Sequence, residues 1–327
     1  MASTIADRDS SSDVADVHAP HPFTCRFATS PTGRMHAGNL FSSLVSWIMA
    51  KRSGCTVVLR IEDLYSGRSR QSFSDEIMRD YEFLGLHWDS GPFYQSSRFD
   101  EYQDAFNELK GRGLVYPCFC TRADLHAASA PHAGEKPVYP GSCRNLDDAT
   151  RSSRERDARA HGREPSQRLI VPHEVFGFDD IFQGHHEQLL DRDCGDFVIR
   201  RSDGSFAYQL AVVLDDALQG VNCVVRGCDL LSSTPQQMYL QQLFGLPEPL
   251  YAHVPLMMGP DGNRLSKRHE DASLEHLLER YKSPAAIMGH IAYVSGLIGR
   301  DEPCMPDDLI RNANLDALSS RSEIAWC

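Results

Sequence analysis

The chain has 327 residues and a net charge of −12, with 41% hydrophobic and 24% charged residues. This composition is typical of a folded globular protein of one or two domains. The acidic balance argues against a protein that coats long stretches of nucleic acid, although a local basic face could still dock one RNA. The sequence has no apolar run of about 18 residues, so we expect no membrane span.

Residues 1–22 differ in composition from the rest of the chain. They contain no apolar segment of the kind found in secretion signals, and they carry several aspartates, which disfavour an organelle transit peptide. We therefore predict a disordered leader and a cytoplasmic protein. The ten cysteines are expected to be reduced thiols in that compartment.

Hydrophobic periodicity and turn residues predict alternating strands and helices after the leader. The predicted strands are 23–30, 56–61, 221–226 and 253–258. The predicted helices are 40–51, 74–84, 98–112, 147–159, 210–218, one that begins near 233–235, 273–281 and 284–297. Residues 196–208 are predicted to form a hairpin with its turn at Asp203 and Gly204.

This alternation predicts an α/β domain with a mostly parallel sheet. The two halves of the domain are expected at 23–112 and 196–298. A polar, largely loop-like insertion at 113–195 separates them, and a weakly patterned tail occupies 299–327.

Residues 30–39 (SPTGRMHAGN) lie between the first predicted strand and the first predicted helix. Nucleotides bind at this position in open α/β sheets, because the amides at a helix N-terminus point at anions. Gly33 and Gly38 permit close backbone approach, and His36 and Asn39 could donate to phosphate oxygens. No Gly-Lys-Ser/Thr follows, so this is not a Walker loop. The alternative is an ordinary loop with a surface histidine.

The HAGN sequence at 36–39 resembles the HIGH signature of class I aminoacyl-tRNA synthetases, with Asn39 in the place of the last histidine. A second segment, RLSKR at 264–268, resembles their KMSKS signature, with arginines at its first and last positions. The resemblance implies a Rossmann-like catalytic domain that binds ATP with Mg²⁺. His36 and Asn39 would then serve the α-phosphate.

The same resemblance assigns Gly38, Ser266 and Lys267 to ATP, with Lys267 neutralising the pyrophosphate as a catalytic residue. Taken alone, Lys267 could also be a solvated lysine of a basic loop.

Residues 26–33 (RFATSPTG) resemble the glutamate-specific branch of that family. A glutamate pocket needs cations for two carboxylates and an acid for the ammonium group. The resemblance implies that Arg26 binds the side-chain carboxylate, Glu62 the ammonium group and Arg226 the α-carboxylate. It places three further residues in the pocket, namely Ala28, Ser30 and Tyr208. The alternative is a structural ion pair, for example between Arg26 and Glu62.

Three thiols lie close together in the sequence, at Cys118, Cys120 and Cys143. In a reducing compartment such a cluster suggests one structural zinc ion, which needs a fourth ligand. The candidates for that ligand are Tyr139, His126 and His132, and the family resemblance points to Tyr139. Three free thiols are the alternative.

Only 59 residues follow Arg268, which leaves no room for the large anticodon-binding domain of a glutamyl-tRNA synthetase. The chain therefore resembles the glutamyl-Q tRNA(Asp) synthetase family. That resemblance implies glutamate activation without tRNA, followed by transfer to queuosine in the anticodon loop of tRNA(Asp). The expected partners are ATP, L-glutamate and that tRNA, and we expect a monomer.

Three other functions are compatible with these motifs. The chain could be the catalytic part of a glutamyl-tRNA synthetase that needs a partner with the anticodon domain. It could be a nucleotidylyl transferase acting on a small molecule. It could also be an inactive RNA-binding paralogue, although the retention of His36, Lys267, Arg26 and Glu62 argues against that.

Overall fold

The computed structural model describes residues 22–65, 67, 69–121, 124, 138–265 and 272–326. The predicted leader, except for its last residue, lies outside the described residues. Two predicted site residues, Ser266 and Lys267, also lie outside the described residues, as do the two alternative zinc ligands His126 and His132.

A parallel sheet begins the fold. Strands β1 (Cys25–Thr29), β2 (Val57–Ile61) and β3 (Ser90–Tyr94) pair in that order. Helix α1 (Ala37–Arg52) crosses from β1 to β2, and α2 (Gln71–Phe83) crosses from β2 to β3. All five residues of β2 are buried, which fits a central parallel strand.

Four strands continue the fold beside β1. The order is β7 (Gly184–Leu189), β6 (Val175–Asp180), β10 (Leu250–Val254) and β9 (Cys223–Gly227). The amides of Asn222 and Cys223 donate to the carbonyl of Thr24, so β9 lies next to the start of β1. Helices α6 (Tyr208–Leu218) and α7 (Thr234–Phe244) lie on either side of β9 in the chain. The parallel α/β architecture is thus as predicted.

The segment 113–195 has more structure than its polar sequence suggested. Strands β4 (Val115–Cys118), β5 (Ser166–Leu169) and β8 (Phe197–Arg200) form an antiparallel sheet. The described part of this region also contains two α-helices: α4 (Asp148–Ala160), which the sequence predicted, and the short α5 (Leu190–Asp193). Helix α3 (Phe99–Gly111) comes just before the region.

The structure also moves the expected boundary at 195. β6 lies within the predicted insertion but pairs with β10 of the central region. β8 lies after the predicted insertion but pairs with β5, which is inside it. Short strands with polar, exposed faces, such as β7, carry little hydrophobic signal. The predicted hairpin at 196–208 keeps its turn, but a single bridge between Arg200 and Phe206 replaces the second strand.

The predicted strand at 253–258 divides into two at Pro255, which has no N–H for a ladder. Its second part, β11 (Leu256–Met258), pairs in parallel with β12 (Glu323–Ala325) of the tail. Among the described residues, three α-helices lie between them: α8 (Leu274–Tyr281), α9 (Pro284–Ser295) and α10 (Pro306–Asn312). None of the helices in the described ranges is long and apolar enough to cross a membrane.

Candidate active site

A pocket of about 480 Å³ opens at the carboxyl ends of β1, β2 and β9. Parallel sheets bind ligands at this edge. The structure brings eight predicted residues together around the pocket: Arg26, Ala28, Ser30, His36, Asn39, Glu62, Tyr208 and Arg226. Other residues that line the pocket were given no role from sequence, among them Arg34, Tyr65, Asp229 and Arg264.

His36 immediately precedes α1 and lies in an extended conformation, with φ of −123° and ψ of 166°. Its backbone N–H donates to the side-chain oxygen of Asn39 over 3.4 Å, which ties the first turn together. A Cβ added at Gly38 would lie 3.2 Å from two atoms of the His36 imidazole. The glycine therefore leaves room for the imidazole at the helix N-terminus, where anions are stabilised.

Arg26 is 3% exposed and makes two fixed contacts. Its Nε donates to Asp216 over 3.2 Å, and its Nη1 donates to the carbonyl of Val225 over 2.9 Å. The ion pair of Arg26 is therefore formed with Asp216, whereas the alternative considered from sequence paired it with Glu62. Arg26 is also one of the residues that line the pocket.

Arg60 is fully buried on β2 and joins Asp216 to Glu62. It donates to Asp216 over 2.7 Å and to Glu62 over 3.4 Å. The neighbouring Asp215 accepts hydrogen bonds from Arg98 over 2.7 Å and from Tyr102 over 2.8 Å. Buried charges need such compensation, and this network holds Arg26 and Glu62, which line the pocket, in place.

The two acidic groups of this network have opposite pKa shifts. Burial raises the pKa of Glu62 above its usual value, although the nearby guanidinium groups of Arg60 and Arg26 act in the other direction. Burial alone would also raise the pKa of Asp216, but the same two guanidinium groups lower it below its usual value. The ionised form of Asp216 is therefore favoured, and Glu62 takes up a proton at a higher pH than Asp216 does.

Arg226 lies at the end of β9 and is 6% exposed. Its three nitrogens each donate to one neighbour: Nε to His253 over 3.0 Å, Nη1 to Gln237 over 2.7 Å and Nη2 to Thr234 over 2.9 Å. Each terminal nitrogen keeps one further N–H, because a guanidinium has five. The guanidinium is thus held in one orientation at the wall of the pocket.

Two further arginines line the pocket near the predicted phosphate-binding turn. Arg34 bonds to Asp80 over 3.2 Å and also to Glu275 on α8. Arg264, in the segment that resembles KMSKS, pairs with Asp229 after β9. Arg264, the first residue of the second motif, therefore lines the same pocket as His36 and Asn39 of the first motif.

The thiols of Cys118, Cys120 and Cys143 converge, with all three sulfurs within 4.8 Å of one another. The sulfurs of Cys120 and Cys143 are 3.7 Å apart, and the Tyr139 hydroxyl lies 3.5 Å from the sulfur of Cys118. Tetrahedral zinc with Zn–S bonds of about 2.3 Å requires sulfurs about 3.8 Å apart. The donor set therefore fits a zinc ion.

Electrostatics around this cluster favour a thiolate at one position. The hydrogen bond from Cys143 and contacts with Tyr139 and Arg168 lower the pKa of Cys118 to about 4, against the effect of burial. Burial raises the pKa of Tyr139, so a tyrosinate ligand would require the charge of a bound cation. Arg168 stacks on the Tyr139 ring with its guanidinium carbon 3.7 Å from the centroid, which fixes the ring.

Comparison with known proteins identifies the family. The family model for class I tRNA synthetases (E and Q), catalytic domain, matches residues 22–325. The glutamyl-Q tRNA(Asp) synthetase of Symbiobacterium thermophilum is 44% identical over 296 residues, which cover 87% of this chain and 90% of that protein. The chain belongs to the glutamyl-Q tRNA(Asp) synthetase family. This confirms the predicted class I synthetase-like fold and the prediction of a ligase.

Two further comparisons agree with that membership. The glutamyl-Q tRNA(Asp) synthetase of Geobacter sulfurreducens is 46% identical over 256 residues, covering 77% of this chain and 78% of that protein. The glutamate–tRNA ligase of the same organism is 36% identical over 91% of this chain, which spans 62% of that longer protein.

A solved structure supports the fold alone. The crystal structure of a glutamate tRNA ligase from Elizabethkingia meningosepticum, in complex with its amino acid, has a TM-score of 0.75 at 22% identity. The match covers 94% of this chain and 67% of that one.

Proposed function

We propose that this chain activates L-glutamate with ATP as glutamyl-adenylate, and then transfers the glutamate to queuosine in the anticodon loop of tRNA(Asp). One observation carries the proposal for the first step. Arg26, Glu62 and Arg226 surround one pocket that also contains His36 at a helix N-terminus. The relatives named glutamyl-Q tRNA(Asp) synthetase support the second step.

Three charged groups would bind the three charges of glutamate. Arg26 receives the side-chain carboxylate through its remaining N–H groups, and Arg226 receives the α-carboxylate in the same way. Glu62 accepts the ammonium group. Ala28 and Ser30 on the β1 side and Tyr208 at the start of α6 enclose the substrate.

Adenylate formation would then take place at the α1 end of the pocket. An oxygen of the α-carboxylate attacks the α-phosphorus of ATP, and the bond to pyrophosphate breaks. His36, Asn39 and the amides near Gly38 stabilise the α-phosphate charge, because donors aimed at developing charge lower the barrier. Lys267 and Ser266 serve the leaving pyrophosphate, and Mg²⁺ arrives with ATP.

Transfer would complete the reaction without a further cofactor. A hydroxyl of the queuosine cyclopentenediol attacks the carbonyl carbon of the adenylate, an ester bond forms and AMP leaves. Because the charged pocket groups are already held in place by protein contacts, activation is expected to proceed without tRNA. We propose that the enzyme acts as a monomer in the cytoplasm.

A structural zinc ion is part of the proposal. Cys118, Cys120, Tyr139 and Cys143 would hold it, and the convergence of the three sulfurs and the tyrosine hydroxyl supports this. A closed site of protein ligands stabilises the surrounding fold and leaves no position for a substrate. It would keep the β4–β5–β8 sheet and α4 in a fixed arrangement.

The test is a transfer assay with ATP, Mg²⁺ and labelled glutamate. Three acceptors are compared: queuosine-containing tRNA(Asp), the same tRNA without queuosine, and tRNA(Glu). We expect label on the first alone, and pyrophosphate exchange with glutamate and no tRNA. A matched pair of variants, Arg226→Lys in the pocket and Arg159→Lys on the exposed face of α4, checks that the signal comes from this site.

Other outcomes would overturn parts of the proposal. Label on tRNA(Glu) would favour the catalytic core of a glutamate–tRNA ligase, the longer protein to which this chain is also similar. Exchange that does not depend on glutamate would favour a small-molecule transferase. Binding of ATP and glutamate without turnover would favour an inactive paralogue.

A further inference from the structure

A chain of three buried side chains runs from β6 through β10 to the pocket. Asp180 at the end of β6 contacts Nδ1 of His253 over 2.5 Å, and Nε2 of His253 receives Nε–H of Arg226 over 3.0 Å. The side chains of Asp180 and His253 are both 0% exposed. Neither residue has a role in the proposed chemistry, so their burial and pairing call for an explanation.

The contacts determine which nitrogen of His253 carries the proton. Arginine can only donate, so Nε2 must be the acceptor. Nδ1 must then carry the hydrogen and donate it to Asp180. Burial, together with the positive charge of Arg226, lowers the pKa of His253, which keeps the imidazole neutral.

Asp180 is held as the acceptor by the backbone around it. One of its carboxylate oxygens accepts the N–H groups of Phe182 over 3.0 Å and Gln183 over 2.9 Å, and the backbone N–H of His253 approaches over 3.0 Å. The other oxygen faces Nδ1 of His253. An aspartate suits this position because every neighbouring group is a donor.

We propose that Asp180 and His253 are positioning residues: they fix the tautomer that locks the Arg226 guanidinium, so that its remaining N–H groups point at the substrate carboxylate. This inference rests on the proposed role of Arg226. Asp180 would act on His253 as the carboxylates behind metal-binding and catalytic histidines do, by fixing which ring nitrogen carries the hydrogen. Thr234 and Gln237 complete the orientation from α7.

The variant Asp180→Asn tests the inference because it keeps the shape of the side chain but replaces one acceptor oxygen with an NH₂ donor. Its carbonyl oxygen would keep the bonds from the backbone N–H groups, so its NH₂ would face Nδ1 of His253. The imidazole would then move its hydrogen to Nε2 and direct it at the Nε–H of Arg226, where two donors repel. The adjacent exposed residue provides a matched control, Asp179→Asn.

Two readouts are measured on the full chain. We expect Asp180→Asn to raise the KM for glutamate by about 10- to 100-fold with the KM for ATP within about twofold, since supporting residues of this kind typically have effects of that size. Asp179→Asn should match the parent chain. Nitrogen-15 NMR of labelled histidine should show the hydrogen on Nδ1 of His253 in the parent chain and on Nε2 in Asp180→Asn.

A second pair of variants covers the case in which Asp180→Asn does not fold. His253→Gln can still offer an oxygen to Arg226, whereas His253→Asn is too short to do so. We therefore expect a lower glutamate KM for His253→Gln than for His253→Asn. Equal KM values for the two, or a parent chain with the hydrogen on Nε2, would overturn the inference. A parent chain with the predicted tautomer but no glutamate binding by calorimetry would instead overturn the proposed function and, with it, the assigned target of Arg226.

Discussion

The buried guanidinium of Arg60 donates a 2.7 Å hydrogen bond to the carboxylate of Asp216. The two residues are 156 positions apart in the chain, on β2 and α6. This bond joins the two halves of the catalytic domain beneath the pocket. It also provides the anion against which Arg26 is oriented.

The first prediction concerns that anion. Asp216→Asn would leave two buried guanidinium groups with one counter-charge fewer, and breaking such a buried pair typically costs about 3–5 kcal/mol. We expect the free energy of unfolding in urea to fall by about 3 kcal/mol, and the KM for glutamate to rise as Arg26 loses its partner. Glu155→Gln, in an exposed pair on α4, is the control and should change stability by less than about 0.5 kcal/mol. Equal stability of the two variants would contradict the prediction.

The second prediction concerns the space beside His36. In Gly38→Ala the added Cβ would stand 3.2 Å from the imidazole and push it away from the helix N-terminus. We expect kcat for glutamate-dependent pyrophosphate exchange to fall at least about tenfold, because misplaced catalytic groups lose orientation. Gly111→Ala, where nothing lies within 4 Å of the new atom, should retain full activity. Unchanged exchange in Gly38→Ala would show that the space beside the His36 imidazole does not limit the reaction.

The third prediction uses the raised pKa of Glu62. Only the ionised carboxylate attracts the substrate ammonium group, so kcat/KM for glutamate should fall as pH drops through the Glu62 pKa. The midpoint of that fall should lie above pH 4.5, the usual pKa of a glutamate side chain. Asp216 has a lowered pKa and stays ionised throughout this range.

The variant Glu62→Gln separates this group from the others that titrate. We expect kcat/KM to decrease about 100-fold, in line with the loss of one partner of a buried charge pair, and the acid-side fall to disappear. The profile is measured at saturating ATP. An acid-side fall that persists unchanged in Glu62→Gln would assign it to a different group.

The fourth prediction concerns the zinc site. We expect about one zinc ion per chain by elemental analysis, and a lower Tm after chelation, because binding to the folded state alone adds stability. Tyr139→Phe removes the hydroxyl that lies 3.5 Å from the sulfur of Cys118 and should weaken zinc retention. Tyr293→Phe, an exposed tyrosine on α9, serves as the control. Equal zinc retention in both variants would leave the fourth ligand to another residue.

Much of the fold was predictable because its central elements are regular and apolar. β2 and α1 have the patterns of a buried strand and a largely buried helix, and both were predicted close to their observed bounds. β3, with the sequence SGPFY, was missed, since it is largely exposed and contains Gly91 and Pro92. β6 alternates between exposed and buried residues, but its buried face includes Asp180, which hides the pattern.

The candidate site was predictable only where a motif carried it. Arg26, Glu62 and Arg226 came from the family resemblance, and the structure gathers them at one pocket. Their supporting groups were missed because those partners are distant in sequence, such as Arg26 and Asp216, 190 positions apart. A signal did exist: two adjacent aspartates, Asp215 and Asp216, interrupt an otherwise apolar helix, α6.

The pairing of β11 with β12 has a consequence for biosynthesis. β11 leads directly into the segment that contains Arg264 and Lys267, yet its partner strand is synthesised after every other described element. On the ribosome, the pairing of β11 with β12 therefore waits until residues 323–325 have been added. The strand that precedes the second motif would thus gain this partner only after all the residues that line the glutamate pocket have been synthesised.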